Sequence, residues 1–115
     1  MIQITPNDRI FVATNPIDFR CGIDSLTGQV KRIFEEDPFS GAFFCFPNRG
    51  KTAFKILFYD QQGFWMAHKR FSKGAIPWWP DFDGGKGKID SKNFILLIYG
   101  GDLRGVNFKE DWKKI

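Results

Sequence analysis

The chain has 115 residues, of which 43% are hydrophobic, 17% aromatic and 26% charged, with a formal net charge of +4. That length supports one domain with a modest core, and so much apolar content excludes a disordered chain. The small positive charge leans toward a polyanionic partner. No apolar run approaches the roughly 20 residues of a membrane-spanning helix. The opening MIQITPNDRI lacks a basic stretch leading into an apolar one, so the chain reads as cytoplasmic. Cys21 and Cys45 have no second pair to complete a metal-ligand spacing. Both read as small buried residues in a reducing compartment.

Residues 9–14 (RIFVAT) are β-branched and aromatic and predict a strand, ended by Asn15-Pro16. From residue 18 to 36, Phe19, Ile23, Leu26, Val30, Ile33 and Phe34 recur at three- and four-residue spacing and predict a helix with one apolar face. Gly22 and Gly28 weaken it by up to about 1 kcal/mol each. Asp37-Pro38 stops it, because a residue before proline is pushed out of helical space. After a turn at Ser40-Gly41, residues 42–46 predict a second strand and residues 47–51 a loop.

Asp60-Gln61-Gln62-Gly63 places Asp first and Gly fourth, the pattern of a type I turn with Gly in a bulge. It predicts a hairpin of strands 52–60 and 64–71, pairing Phe58 with Trp65, Ile56 with Ala67 and Phe54 with Lys69 on one side. On the other, Tyr59 meets Phe64, Leu57 meets Met66 and Lys55 meets His68, with Arg70 beyond. That second side turns basic away from the turn. Residues 77–87 (PWWPDFDGGKG) predict a loop with the freedom of a mobile one. The run FILLIY within residues 92–99 suits either a buried strand or a short helix with Ser91 as N-cap and Gly100 as its stop. Residues 107–115 are polar and predicted to fray, with Trp112 as an anchor.

The segment from Asn48 to Pro80 is the candidate working surface. It holds six cations, Arg49, Lys51, Lys55, Lys69, Arg70 and Lys73, among eight aromatic rings, with Asp60 as its single carboxylate. Cations attract phosphate and flat rings stack on bases or bury against a partner. The plainer reading is that the rings are core and the lysines solvated.

Enzymatic chemistry finds less support. Gly50-Lys51-Thr52 imitates the end of a phosphate-binding loop, but Cys45 stands where the first glycine belongs and a strand follows instead of a helix. Any histidine-dependent catalysis would pass through His68, the single histidine. Asp18, Asp24, Asp60 and Asp102 form no close acidic pair for Mg²⁺, and Asp18 pairs more readily with Arg20 near the helix start. No cofactor and no metal site is expected.

The ordered set Asn15-Pro16-Ile17-Asp18-Phe19-Arg20, Gly22-Ile23-Asp24-Ser25-Leu26 and Asp37-Pro38-Phe39-Ser40-Gly41 resembles a known family. It continues with Phe44, Phe46, Asn48-Arg49, Lys55-Ile56-Leu57, Asp60, Gly63, Lys69-Arg70 and Trp79-Pro80. Together these resemble the small accessory protein, TnpB type or second-frame product, of insertion sequence 66 family elements. The likeness is strong to about residue 80 and weaker over 90–105, and the glycine-rich stretch 83–88 departs from it. The resemblance implies a role in transposition beside a larger transposase that carries the catalytic carboxylates. It also implies a short helix ending near Gly101-Asp102.

The resulting expectation is one α+β domain over residues 1–115, a small antiparallel sheet packed against the Ile23-to-Phe34 helix, with a short C-terminal helix and a glycine-rich loop at 81–88. Arg49, Lys51, Lys55, Lys69, Arg70 and Lys73 are expected to meet DNA, and Trp65, Trp78 and Trp79 to stack on it or bury against the transposase. Asp18, Arg20, Asp60 and Gly63 are expected to shape the fold. The alternatives are a module that assembles the transposase without touching DNA, and a small nuclease using Asp18, Asp24 or Asp60.

Overall fold

The computed structural model describes residues 8–101. Strand β1 (Ile10–Ala13) leads into helix α1 (Ile23–Gln29), whose last turn widens to π geometry over Val30–Phe34. Strands β2 (Phe43–Pro47), β3 (Ala53–Tyr59) and β4 (Phe64–Arg70) follow, then β5 (Lys86–Lys88) and helix α2 (Ser91–Ile98). The five strands form one sheet in the order β4-β3-β2-β1-β5. The fold is α+β.

The sheet is mixed, which corrects the expectation of a purely antiparallel one. β1 and β2 pair in parallel, with Phe11 opposite Phe44, while the other neighbours are antiparallel. A parallel pair needs a crossover, and α1 supplies it. One face of the sheet packs Phe11, Phe44, Phe46 and Leu57 against Leu26, Val30 and Phe34. The opposite face packs Val12, Phe43, Cys45, Phe54 and Ile56 against Phe94 and Leu97 of α2. β2 is therefore buried on both sides, and FCF at its centre has the continuous apolar content that this requires. Each fully buried Phe contributes about 2–3 kcal/mol.

Four local features differ from the sequence reading, each for a physical reason. The helix begins at Ile23, not residue 18, because the Asp18 carboxylate accepts from Arg20 N–H and turns the chain. β3 and β4 pair in the expected register, Phe58 opposite Trp65 and Lys55 opposite His68, but Gln61, not Gly63, takes the left-handed conformation at φ +81°. The Asp60 carboxylate collects the Gln62 and Gly63 N–H groups at 2.9 and 3.0 Å, and the left-handed residue stands two positions earlier than expected. The FILLIY run is a helix, capped by Asp90 rather than Ser91 through the Asn93 N–H at 2.8 Å. Gly100 and Gly101 end it by donating to Leu97 and Leu96.

Fourth, the glycine-rich stretch 81–88 is not simply a loop. After a short turn at Asp83–Gly85, residues 86–88 pair with β1 as an edge strand. Gly84 and Gly85 take φ of +80° and +82°, Thr14 N–H donates to the Gly85 carbonyl, and the Phe82 ring lies where a Cβ on Gly87 would stand, 2.6 Å away. Trp112 and the predicted fraying at 107–115 lie outside the described residues, as does Asp102.

Two glycine substitutions separate these constraints. Gly87→Ala forces the Phe82 ring out of its seat and is expected to cost about 1–3 kcal/mol in urea denaturation. Gly28→Ala, whose Cβ meets nothing within 4 Å in α1, is expected to stabilise by up to about 1 kcal/mol.

Candidate nucleic-acid interface

Strands β1, β2 and β4 finish, and β3 and β5 begin, at one end of the sheet. The loops at this end carry Arg20, Arg49, Lys51 and Lys73, and β4 delivers Arg70. The Asp60 turn lies at the opposite end. A cleft of about 480 Å³ opens beyond the carboxyl ends of the parallel pair β1 and β2, lined by Pro16, Ile17, Asp18, Phe19, Arg20, Asn48, Arg49 and Gly50. Ligands of open α/β sheets favour this position, because loops from adjacent parallel strands diverge there.

One wall is the loop after β1. Ile17 N–H donates to the Pro47 carbonyl at 3.1 Å, tying this wall to β2. Arg20 closes a fork on Asp18, with Nη2 to Oδ2 at 2.7 Å and Nε 3.1 Å from each carboxylate oxygen. That guanidinium and the Arg20 N–H hold the Asp18 carboxyl down at about 2. Underneath, the Lys55 ammonium donates to the carbonyls of Phe19 and Cys21, both at 2.8 Å, and lies 4.9 Å from the centre of the Phe19 ring. The same ring meets His68 in a T-shaped contact.

The second wall is the β2–β3 loop, built on Asn48. Its carboxamide oxygen accepts from Thr52 and Ala53 N–H at 2.9 and 3.2 Å, and its Nδ2 donates to the Thr52 hydroxyl. Lys51 N–H closes the turn on the Asn48 carbonyl, with Lys51 in left-handed backbone at φ +56°. Arg49 and Gly50 are thereby held out at the tip, exposed.

The six candidate cations divide by environment. Arg49, Arg70 and Lys73 are exposed and make no ion pair among the described residues. Lys51 reaches the Thr14 carbonyl at 3.4 Å, and partial burial lowers its pKa against a smaller opposing effect of Asp81. Lys55 is 4% exposed, so its ammonium serves backbone carbonyls instead of solvent. Lys69 donates to the Ile98 carbonyl at 2.7 Å and lies over the Phe71 and Tyr99 rings, a cation at the carboxyl end of α2.

The tryptophans divide as well. Trp79 Nε1 donates to the Ala13 carbonyl at 2.8 Å beside Phe54, and Trp78 packs against the same core. Trp65 is 46% exposed, its Nε1 donating to Asp60 at 2.7 Å at the far end of the sheet. At the same end but on the other face of the sheet, Phe39, Tyr59 and Phe64 form an aromatic cluster, with Phe39 55% exposed. This cluster and the Asn48 scaffold did not emerge from the sequence reading. Asn before Arg-Gly, a side chain that bonds its own backbone in turns, was the available signal for the second. Asp18 and Asp60 lie at opposite ends, and no three His, Cys, Asp or Glu side chains gather among the described residues. No helix among them is long and apolar enough to cross a membrane.

Two measurements probe the walls. Lys55→Met removes the shared donor of the Phe19 and Cys21 carbonyls and is expected to cost about 2–4 kcal/mol in chemical denaturation. The Asp18 carboxyl is expected to titrate near 2 by NMR and to return toward about 4 in Arg20→Ala. Because the folded value lies below the unfolded one, its stabilising effect is complete above about pH 4 and is lost as pH falls through about 2.

Comparison with known proteins supplies the family. The profile of IS66 Orf2-like proteins matches residues 8–108. The uncharacterised protein y4hO of Sinorhizobium fredii is 31% identical over 113 residues, covering 98% of this chain and 96% of that protein. A second uncharacterised protein of the same organism, y4jC, is 31% identical over 101 residues, covering 88% and 86%. No solved structure matches. The chain therefore belongs to the IS66 Orf2-like family, the accessory proteins of insertion-sequence transposition.

Proposed function

We propose that this protein is a non-catalytic, DNA-contacting subunit of the transposition machinery, and that the basic end of its sheet lies against the DNA backbone. The observation that carries this reading is the cleft beyond β1 and β2, bordered by the Arg20 and Arg49 guanidiniums. Arg70 and Lys73 are exposed at the same end. Exposed guanidiniums held on hydrogen-bonded loops suit bidentate phosphate contacts, since their placement costs little ordering on binding. Asp18 already neutralises Arg20 in part, so Arg49, Arg70 and Lys73 carry most of the attraction, with Lys51 next to them.

Contacts of this type fix position and affinity and carry little sequence information. Element specificity then comes from DNA shape or from the transposase, which this reading makes the catalytic partner. A second reading rests on the aromatic cluster at the other end. Exposed Phe39, beside Tyr59 and Phe64, and exposed Trp65, on the opposite sheet face at the same end, are rings of the kind that anchor protein interfaces, and they suit a contact with the transposase.

Fluorescence-anisotropy titration with a duplex of the element's terminal repeat and a scrambled control, across several salt concentrations, separates the two. The triple substitution Arg49→Ala, Arg70→Ala and Lys73→Ala is expected to weaken binding and to flatten the slope of log K against log salt by about 2–3. Phe39→Ala with Trp65→Ala is expected to leave that slope unchanged. Binding undiminished in the triple variant, or no binding by the native chain at low salt, would refute the DNA-contacting reading. Capture of the transposase that resists high salt and is lost on changing Phe39 and Trp65 would then favour the second.

A further inference from the structure

Strand β4 is the outer strand of the sheet among the described residues. It is seven residues long, FWMAHKR, with no proline and an unbroken register against β3. Most edge strands of this length are blunted by a bulge, a proline or charges spread along them. Here the cations Lys69 and Arg70 are confined to one end and the rings Phe64 and Trp65 to the other.

The hydrogen-bond phase of the hairpin decides which backbone groups face outward. Asp60 N–H donates to the Gly63 carbonyl and Phe71 N–H to the Thr52 carbonyl. Alternation between those two pairs turns the backbone of Trp65, Ala67 and Lys69 toward β3. Phe64, Met66, His68 and Arg70 therefore present four N–H and four C=O groups to the open edge. No other described residue donates to or accepts from them.

We propose that two copies of this chain pair through β4, antiparallel about Ala67, joining two five-stranded sheets into one of ten. In this register Phe64 lies opposite the partner's Arg70 and Met66 opposite the partner's His68, both as hydrogen-bonded pairs, so all eight outward groups of each chain are satisfied. Trp65 lies opposite the partner's Lys69, and Ala67 faces its own copy across the two-fold axis. The Arg70 guanidinium at the end of one strand meets the Phe64 ring at the start of the other, a pairing of charge with the face of a π system, while the Lys69 ammonium stays on the Ile98 carbonyl of its own chain and offers only its aliphatic stem to Trp65. Shifting the register by two residues leaves Phe64 or Arg70 without a backbone partner. Parallel pairing brings the Lys69–Arg70 ends of both strands together, where like charges repel. The small Ala67 side chain suits the centre, since a non-hydrogen-bonded antiparallel pair brings Cα atoms to about 4.5 Å.

The test uses the full chain in sedimentation equilibrium over a wide concentration range, together with a register-specific cross-link. A dimer is expected. Ala67→Cys is expected to form an intermolecular disulfide on mild oxidation, because about 4.5 Å between Cα atoms is within disulfide reach. Ser72→Cys is expected to form none, because the two copies of residue 72 would stand roughly 33 Å apart. Met66→Pro removes an outward N–H that β3 does not use and is expected to raise the dimer dissociation constant at least about 30-fold with the circular-dichroism spectrum retained. A native chain that stays monomeric overturns the proposal, including the case where its own residues 102–115 or a transposase strand occupies this edge. So does a dimer that fails to cross-link through Ala67→Cys. Should Met66→Pro unfold, the cross-link decides alone.

Discussion

The ammonium of Lys55 is the contact on which the cleft end of this protein depends. It enters from β3, beneath the loop after β1, and bonds two carbonyls of a segment that has left its strand and not yet begun its helix. Those carbonyls belong to Phe19 and Cys21, just ahead of α1, where the backbone has no ladder of its own. A buried cation that loses hydration must recover it from dipoles, and two carbonyls plus the Phe19 ring provide them. One side chain thus sets the position of Asp18, Arg20 and the start of α1 together. A neutral residue there would leave the loop without its central donor.

This arrangement explains why cations close together in the chain do unlike work. Lys55 and Lys69 sit on opposite faces of the β3–β4 hairpin, each answering backbone acceptors at the end of an adjoining element: the turn before α1 in one case, the carboxyl end of α2 in the other. Arg49 and Arg70 meet no such acceptor and are exposed. A lysine bonded to carbonyls inside the fold stabilises that fold, whereas an arginine held out on a rigid loop has its donors available to a phosphate. The same hairpin therefore contributes both the supports of the site and its candidate contacts. Arg70 also stands on the outer strand of the sheet among the described residues.

The aromatic content divides in the same manner. Phe43, Phe44 and Phe46 fill both faces of the central β2 strand and hold the two helices to it. Trp79 is fastened to the end of β1 by its indole N–H, so the paired tryptophans after Ile76 close the core near the cleft. Phe39 and Trp65 instead keep large exposed areas at the far end of the sheet. The basic end and the aromatic end are thus separated by the length of the strands, which gives a transposition accessory two surfaces of different chemistry on one small frame.

Much of this was legible in the residues themselves. The spacing of Leu26, Val30 and Phe34 marked a helical face, and Asp60 with Gly63 marked a hairpin whose register follows from period-two alternation once the turn is placed. The family could be read from the order of short motifs such as Asn15-Pro16-Ile17-Asp18-Phe19-Arg20, even though no one of them is distinctive. These are local properties, set by the geometry of a few consecutive residues. Tertiary structure alone decided the rest. Parallel pairing of β1 with β2 depends on where a helix returns the chain, and pairing of the glycine-rich 86–88 stretch depends on an open edge of β1 and a Phe82 ring waiting over Gly87. Whether a lysine faces water or a carbonyl depends on a segment more than 30 residues away in the chain. Local sequence carries no record of such distant partners, because the free energy that selects them exists only once the sheet has assembled.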